Sequence, residues 1–208
     1  MVLKKTRPLS VAQPEQRHGE RDLAGLLVQI RDSDPALRRW AVRDLVAFPE
    51  SIPALIQLFE TESENSVRAA LSSAMVKLGG EAVVLGMVRL LSSDDPGLRN
   101  AAIDVLKRLP DSVASHMENL LQDPDSDVRI FAVNVLEALC HPKVEDWLIQ
   151  VVATDSHVNV VSTALDLLGE VGSDKALAAI ELLPHRFAEH PYIAFAVAAA
   201  KKRIVSAE

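Results

Sequence analysis

Little in this 208-residue sequence is aromatic or thiol-bearing, and each shortage excludes something. A single cysteine, Cys140, excludes an intramolecular disulfide framework and fits a reducing, cytoplasmic setting. Aromatic residues make up only 4% of a chain that is 49% hydrophobic, so its apolar content is mostly Ala, Val and Leu. Such small residues suit closely packed helices, whose axes they allow to approach. No run nears the ~20 uninterrupted apolar residues of a membrane span, and no apolar run follows the basic residues near Met1 as in a secretory signal. There is no glycine-rich phosphate loop and no nucleophile elbow.

Six histidines are present, His18, His116, His141, His157, His185 and His190, but they recur in no metal-ligand spacing. Cys140 stands beside His141, too close in sequence to imply a catalytic dyad; Leu136 and Leu139 nearby imply a buried structural thiol. The carboxylates fall at helix caps and on solvent faces. The expectation is a non-enzymatic protein with no catalytic residue, metal or cofactor.

The net charge of −7 is unevenly spread. Residues 1–20 hold Lys4, Lys5, Arg7 and Arg17 against Glu15 and Glu20, a net +2, which leaves −9 for the rest. An acidic body lacks the clustered Lys and Arg that phosphate neutralisation needs, so no nucleic-acid surface is expected. Pro8, Pro14 and the absence of a sustained apolar period make residues 1–20 a basic, disordered tail, with the folded unit over 21–208.

What the sequence does have is a repeat. Asp34-Pro35-Ala36-Leu37-Arg38, Glu64-Asn65-Ser66-Val67-Arg68, Asp95-Pro96-Gly97-Leu98-Arg99 and Asp125-Ser126-Asp127-Val128-Arg129 align, with the arginines 30, 31 and 30 residues apart. Small or apolar residues follow at +3 and +7: Ala41 and Leu45, Leu71 and Met75, Ala102 and Leu106, Ala132 and Leu136. A fifth copy places Val161 where the arginine stood, followed by Ala164 and Leu168. A degenerate sixth runs through His190-Pro191-Tyr192-Ile193 with Ala196 and Ala200, as a terminal cap would.

Each copy contains two helical stretches. First helices are predicted near 23–31, 52–60, 81–92, 112–122, 143–153 and 174–183, with apolar stripes such as Leu55, Leu58 and Phe59 or Leu85, Val88 and Leu91. Second helices are predicted to start near 35, 66, 96, 126, 158 and 191. Asp34-Pro35 and Asp95-Pro96 pair a capping carboxylate with proline at the first helical position. Ser51 with Pro53 reads as an opening, and Gly79-Gly80, Pro49 and Pro110 as closings of second helices. No stretch alternates with period two, so the predicted class is all-α.

The pattern Asp-x-x-Val-Arg-x-x-Ala with a following Leu, every ~30 residues, resembles short HEAT repeats of the phycobilisome-lyase type. Leu168-Gly169-Glu170-Val171-Gly172 resembles that family's end of the second helix. The resemblance covers roughly 22–204 and implies a right-handed α-α superhelix of about six hairpins. A scaffold of this kind serves many roles. A related hydroxylase family holds two irons with repeated His-Glu pairs, and this chain contains no His-Glu dipeptide. A HEAT-like alkylpurine DNA glycosylase needs a basic groove, against which the acidic body weighs. A bilin lyase subunit or chromophore-protein chaperone is the alternative to an adaptor.

The motif arginines Arg38, Arg68, Arg99 and Arg129 are expected to bridge adjacent repeats by charge-assisted hydrogen bonds. The Val161 departure is expected to weaken the junction between the fourth and fifth repeats. Recognition is expected on the concave face, at offsets +1 and +5 from the motif. These are Arg39 and Arg43, Ala69 and Ser73, Asn100 and Asp104, Ile130 and Asn134, then Ser162 and Asp166. Trp40 beside Arg39 is a pairing enriched at binding hot spots, and equally, like Phe131, a filler of the gap between repeats. The function expected is an adaptor or regulatory scaffold holding another protein through an acidic or amphipathic segment.

Overall fold

The computed structural model describes residues 19–206, which are helices and short connections without a strand among them. The first helices are α1 (Leu23–Gln29), α3 (Ile52–Thr61), α5 (Gly80–Leu90), the pair α7 (Pro110–Ala114) and α8 (Met117–Leu120), α10 (Val144–Thr154), and the pair α12 (Leu177–Glu181) and α13 (Leu183–Arg186). The second helices are α2 (Pro35–Leu45), α4 (Asn65–Leu78), α6 (Pro96–Lys107), α9 (Ser126–Leu136), α11 (Val158–Val171) and α14 (Pro191–Ser206). Six hairpins result. The second helices pack in unbroken series, α2 on α4, α4 on α6, α6 on α9, α9 on α11 and α11 on α14. First helices form the other layer, with α3 on α5, α5 on α7 and α10 on α12. The molecule is an all-α solenoid with a core running along its length.

The caps explain where second helices begin. Asp34, Asp95 and Asp125 each accept, at 2.8–2.9 Å, from the backbone amide two residues ahead. These bonds satisfy an amide the helix cannot, and Pro35 and Pro96 occupy first-turn positions where no N–H is needed. Gly79, at φ +58°, closes α4 in the left-handed region that glycine tolerates.

Several expectations are corrected. Ser51 and Pro53 open α3 as expected, but the buried Ser51 hydroxyl makes no cap bond and donates back to the Leu45 carbonyl at 3.2 Å. Pro110 opens α7 rather than closing α6, and Pro49 starts a 3-10 turn. Leu85 is 48% exposed; Leu91 of the expected stripe is buried, and the buried face of α5 itself runs through Val83, Val84, Met87 and Leu90. The fourth and sixth first helices are each broken in two, at Ser115–His116 and at Leu182. Cys140 is exposed, because α9 ends at Leu136 and its periodicity does not carry that far. Residues 1–18, including His18, lie outside the described residues. Arg21 anchors the start of the described chain, donating to Gln29 Oε1 at 2.7 Å and to Asp44.

The register of the sixth repeat also shifts by one. Pro191 opens α14 as Pro35 and Pro96 open α2 and α6, which puts Ala194 at the motif position. Ile193 is then the counterpart of Val67, Leu98, Val128 and Val160, each buried one residue before it.

Candidate functional site

The turns inside the first five hairpins are built the same way. The residue six before the motif position, Glu62, Asp123 or Asp155, accepts through its carboxylate from the amide two residues on, at 2.8–2.9 Å. Asp32 and Ser93 do the same at 2.8 and 3.2 Å. The main-chain carbonyl of that residue then takes the guanidinium: Arg38 donates to Asp32 O at 2.8 Å, Arg68 to Glu62 O at 2.5 Å, Arg99 to Ser93 O at 2.6 Å and Arg129 to Asp123 O at 2.8 Å.

Three of the four arginines also reach forward into the next repeat. Arg38 grips both oxygens of Glu62, at 2.7 and 2.8 Å, and Arg129 both oxygens of Asp155, at 2.7 and 3.1 Å. Arg68 reaches Asp95 Oδ2 at 2.9 Å. Glu62 is only 4% exposed, yet its hydrogen bond from Arg38 holds the carboxyl below the usual range against the cost of burial. Burial pushes Asp155 upward, but the bonds from Arg129 and the His157 amide outweigh it and the net shift is downward. Arg99 differs: its guanidinium lies 5.7 Å from the Phe131 ring centroid.

This forward reach corrects the placement of the Val161 departure. The arginine of the fourth repeat clamps the fourth–fifth junction, so that junction keeps its Arg129–Asp155 pair. A residue at 161 would serve the turn carbonyl of Asp155 and the fifth–sixth junction. Arg186, from α13, donates to that same carbonyl at 2.6 Å and to Val152 O, supplying a guanidinium from the other side.

The expected recognition positions all lie on second helices. Arg43 is exposed, its Cζ 4.9 Å from the Trp40 ring centroid, while Arg39 lies at 6.0 Å and, like Trp40, is half-buried. Ala69, Ser73, Asn100 and Asp104 are exposed, and Ile130 and Asn134 half-buried. Ser73 spends its hydroxyl on the Ala69 carbonyl at 2.9 Å. Half-buried Ser162 donates to the Tyr192 hydroxyl at 3.3 Å, and Asp166 is exposed. The corrected register adds a sixth rung, Phe195 and Ala199. Phe195 is 79% exposed and walls a cavity of about 280 Å³ with Tyr192 and Arg203.

Other hollows lie away from these positions. One of about 240 Å³ between α8 and α10 is lined by Glu118, Trp147 and Gln150; another of about 500 Å³ holds His157, His185 and His190. Among the described residues no group of three or more His, Cys, Asp or Glu is placed to hold a metal ion. No helix there is long and apolar enough to cross a membrane.

Stacked helical hairpins with a recurring inter-repeat clamp define an α-solenoid repeat protein. The profile of HEAT repeats matches residues 23–107 and 113–188, and the chain belongs to that family. No curated protein matches it. Among solved structures it is similar to a designed armadillo repeat protein in complex with the peptide (KR)4, at 16% identity over 86% of this chain and 98% of that one, TM-score 0.45. It is also similar to the complex of CpcE and CpcF of phycocyanin lyase from Nostoc sp. PCC7120, at 19% identity over 94% and 100%, TM-score 0.38. An engineered protein matches at 17% identity over 87% and 95%, TM-score 0.40.

Proposed function

We propose that the chain is a non-enzymatic adaptor or regulatory scaffold, working in the cytoplasm, that holds a protein partner along the second-helix strip. The Arg39–Trp40–Arg43 rung reads an acidic or amphipathic segment of that partner. Arg43 carries this reading. Three of the four motif arginines are spent on a carboxylate of the next repeat. Arg43 instead is exposed, lies over an indole and makes no ion pair among the described residues. A guanidinium held on an aromatic face keeps its outward N–H groups available for a carboxylate and presents an apolar surface beside them. Asn100, Asp104, Asn134 and Asp166 then supply hydrogen-bonding groups further along.

The test is affinity purification from the native host with the wild-type chain and with Arg39→Glu/Arg43→Glu. The expected result is loss of the captured partner by a chain that keeps its helical circular dichroism. A partner retained by the charge-reversed chain overturns the assignment. Mixing the chain with an open-chain tetrapyrrole separates the adaptor from a lyase subunit: an adaptor leaves the pigment's absorbance unshifted.

A further inference from the structure

The last helix is unlike the other second helices. A surface helix carries one apolar stripe, and a helix that is apolar all round belongs in an interior. From Pro191 to Ala200, α14 has no charged residue. Ile193, Val197, Ala200 and Ile204 are buried, on the side that meets α11. The opposite side carries Pro191, Phe195, Ala198, Lys202 and Val205, at the alternating spacing of four and three that makes a helix–helix seam, and all five are exposed. Phe195 is 79% and Val205 58% exposed, and Leu182 beside α12 is 62% exposed. Of the seven large apolar side chains left exposed among the described residues, five lie between Val171 and Val205.

We propose that the outer face of the sixth hairpin is covered by a second copy of this chain, α14 packing antiparallel on α14 about a two-fold axis. The seam is self-complementary. An axis midway between Phe195 and Ala198 seats each Phe195 on Ala198 of the other copy, large on small. The same register sets Lys202 of one copy opposite Pro191 of the other, close to the exposed Glu189 that precedes the helix, and opposes the two helix dipoles. The size also fits. Sixteen residues of α14 span about 24 Å, and two helices abreast about 20 Å, a projected footprint of ~500 Å². Corrugation by side chains brings its accessible area toward the ~800 Å² per partner of a stable interface. A two-fold contact uses the same patch on both copies and closes, so it yields a dimer and no fibre.

Sedimentation equilibrium on the full chain tests this. The wild type should run at twice its 22.6 kDa chain mass at micromolar concentration, and Phe195→Lys at the single-chain mass. Because Phe195 is exposed, that variant should keep its helical circular dichroism and melt within a few degrees of the single-chain baseline. Lys202→Glu should weaken the dimer about tenfold, and adding Glu189→Lys should restore it. Arg43→Glu should leave the dimer intact, which keeps this test separate from that of the partner-binding rung. A wild type that stays at the single-chain mass up to about 100 µM overturns the proposal, since an interface of this size class holds more tightly. So does a Phe195→Lys chain that still dimerises. A monomeric wild type that loses another protein on Phe195→Lys assigns the face to that protein and overturns it equally.

Discussion

Arg38 holds Glu62 by both carboxylate oxygens while its third nitrogen donates to the Asp32 carbonyl, so one side chain ties its own turn to the next repeat. The pair is nearly dry, with the side chains 14% and 2% exposed. Removing one partner of such a pair strands a buried charge, which costs about 3 kcal/mol. Arg38→Ala and Arg129→Ala should therefore be the most destabilising of the four motif substitutions. Arg68→Ala should cost far less, because Asp95 is 44% exposed and solvent can replace its partner. Arg99→Ala, with no carboxylate to strand, joins the mild group. Urea midpoints of the four variants check the order, and equal losses across them contradict it.

The same pairs set the acid limit of the fold. Glu62 and Asp155 titrate below their ordinary ranges in the folded chain. Groups depressed in this way contribute stability in full above their unfolded pKa values near 4, and that stability is lost as pH falls through the lower folded values. Stability should be level above about pH 5 and decline below about pH 4. In the Glu62→Gln/Asp155→Asn double variant the plateau should be lower and the decline shallower. Urea unfolding at steps between pH 6 and pH 2 measures both. A double variant with the wild-type slope places the acid sensitivity elsewhere.

Much of this architecture was legible in the sequence, because a 30-residue period, aspartate caps and first-turn prolines are local signals. All six second-helix starts were placed to within one residue of where they fall. The breaks in α7–α8 and α12–α13 were not legible, since Val113, Met117 and Leu120 keep apolar spacing across the interruption. Nor was the role of the residue six before the motif, because Asp32, Glu62, Ser93, Asp123 and Asp155 differ in type and share only a geometry. The helix register is where the sequence reading slipped: no arginine marks the sixth repeat, and anchoring on Pro191 moves its motif position from Ile193 to Ala194.

Arg186 should matter more than its place outside the motif implies. It donates to the Asp155 carbonyl that a motif arginine at 161 would have served, and it does so from the following hairpin. Arg186→Ala should leave that carbonyl without its donor and loosen the sixth hairpin from the fifth. Hydrogen exchange should quicken in α13 and α14 while α2 and α4 keep their protection. Exchange that rises uniformly along the chain would show that Arg186 acts on global stability instead.

Cys140 should react with a thiol reagent in the folded chain, because it is exposed beyond the end of α9. Reaction with a disulfide reagent at neutral pH should be complete without denaturant, with the melting temperature unchanged afterwards. A thiol that reacts only after urea is added contradicts the exposed placement.

The weakest junction should be the third to fourth. Arg99 there turns to the Phe131 ring, while the carboxylate in the equivalent forward position, Asp123, accepts from the Asp125 amide, so the ion pair crossing this junction is the solvent-open Lys107–Glu137, its carboxylate 59% exposed. The neighbouring junctions on either side each have an arginine–carboxylate pair, Arg68–Asp95 and Arg129–Asp155. The first helix that follows is also divided, and pieces of five and four residues hold few of the i to i−4 bonds that resist opening. A weak clamp beside a broken helix favours local opening over global unfolding at this point. Amides from Ser112 to Leu121 should exchange at least about tenfold faster than those from Leu55 to Thr61, whose helix is continuous. Phe131→Ala, which frees the Arg99 guanidinium to turn toward Asp123, should narrow the gap. Equal protection of the two segments in the wild type would mean that packing of Val113 and Met117 into the core outweighs the missing arginine–carboxylate clamp.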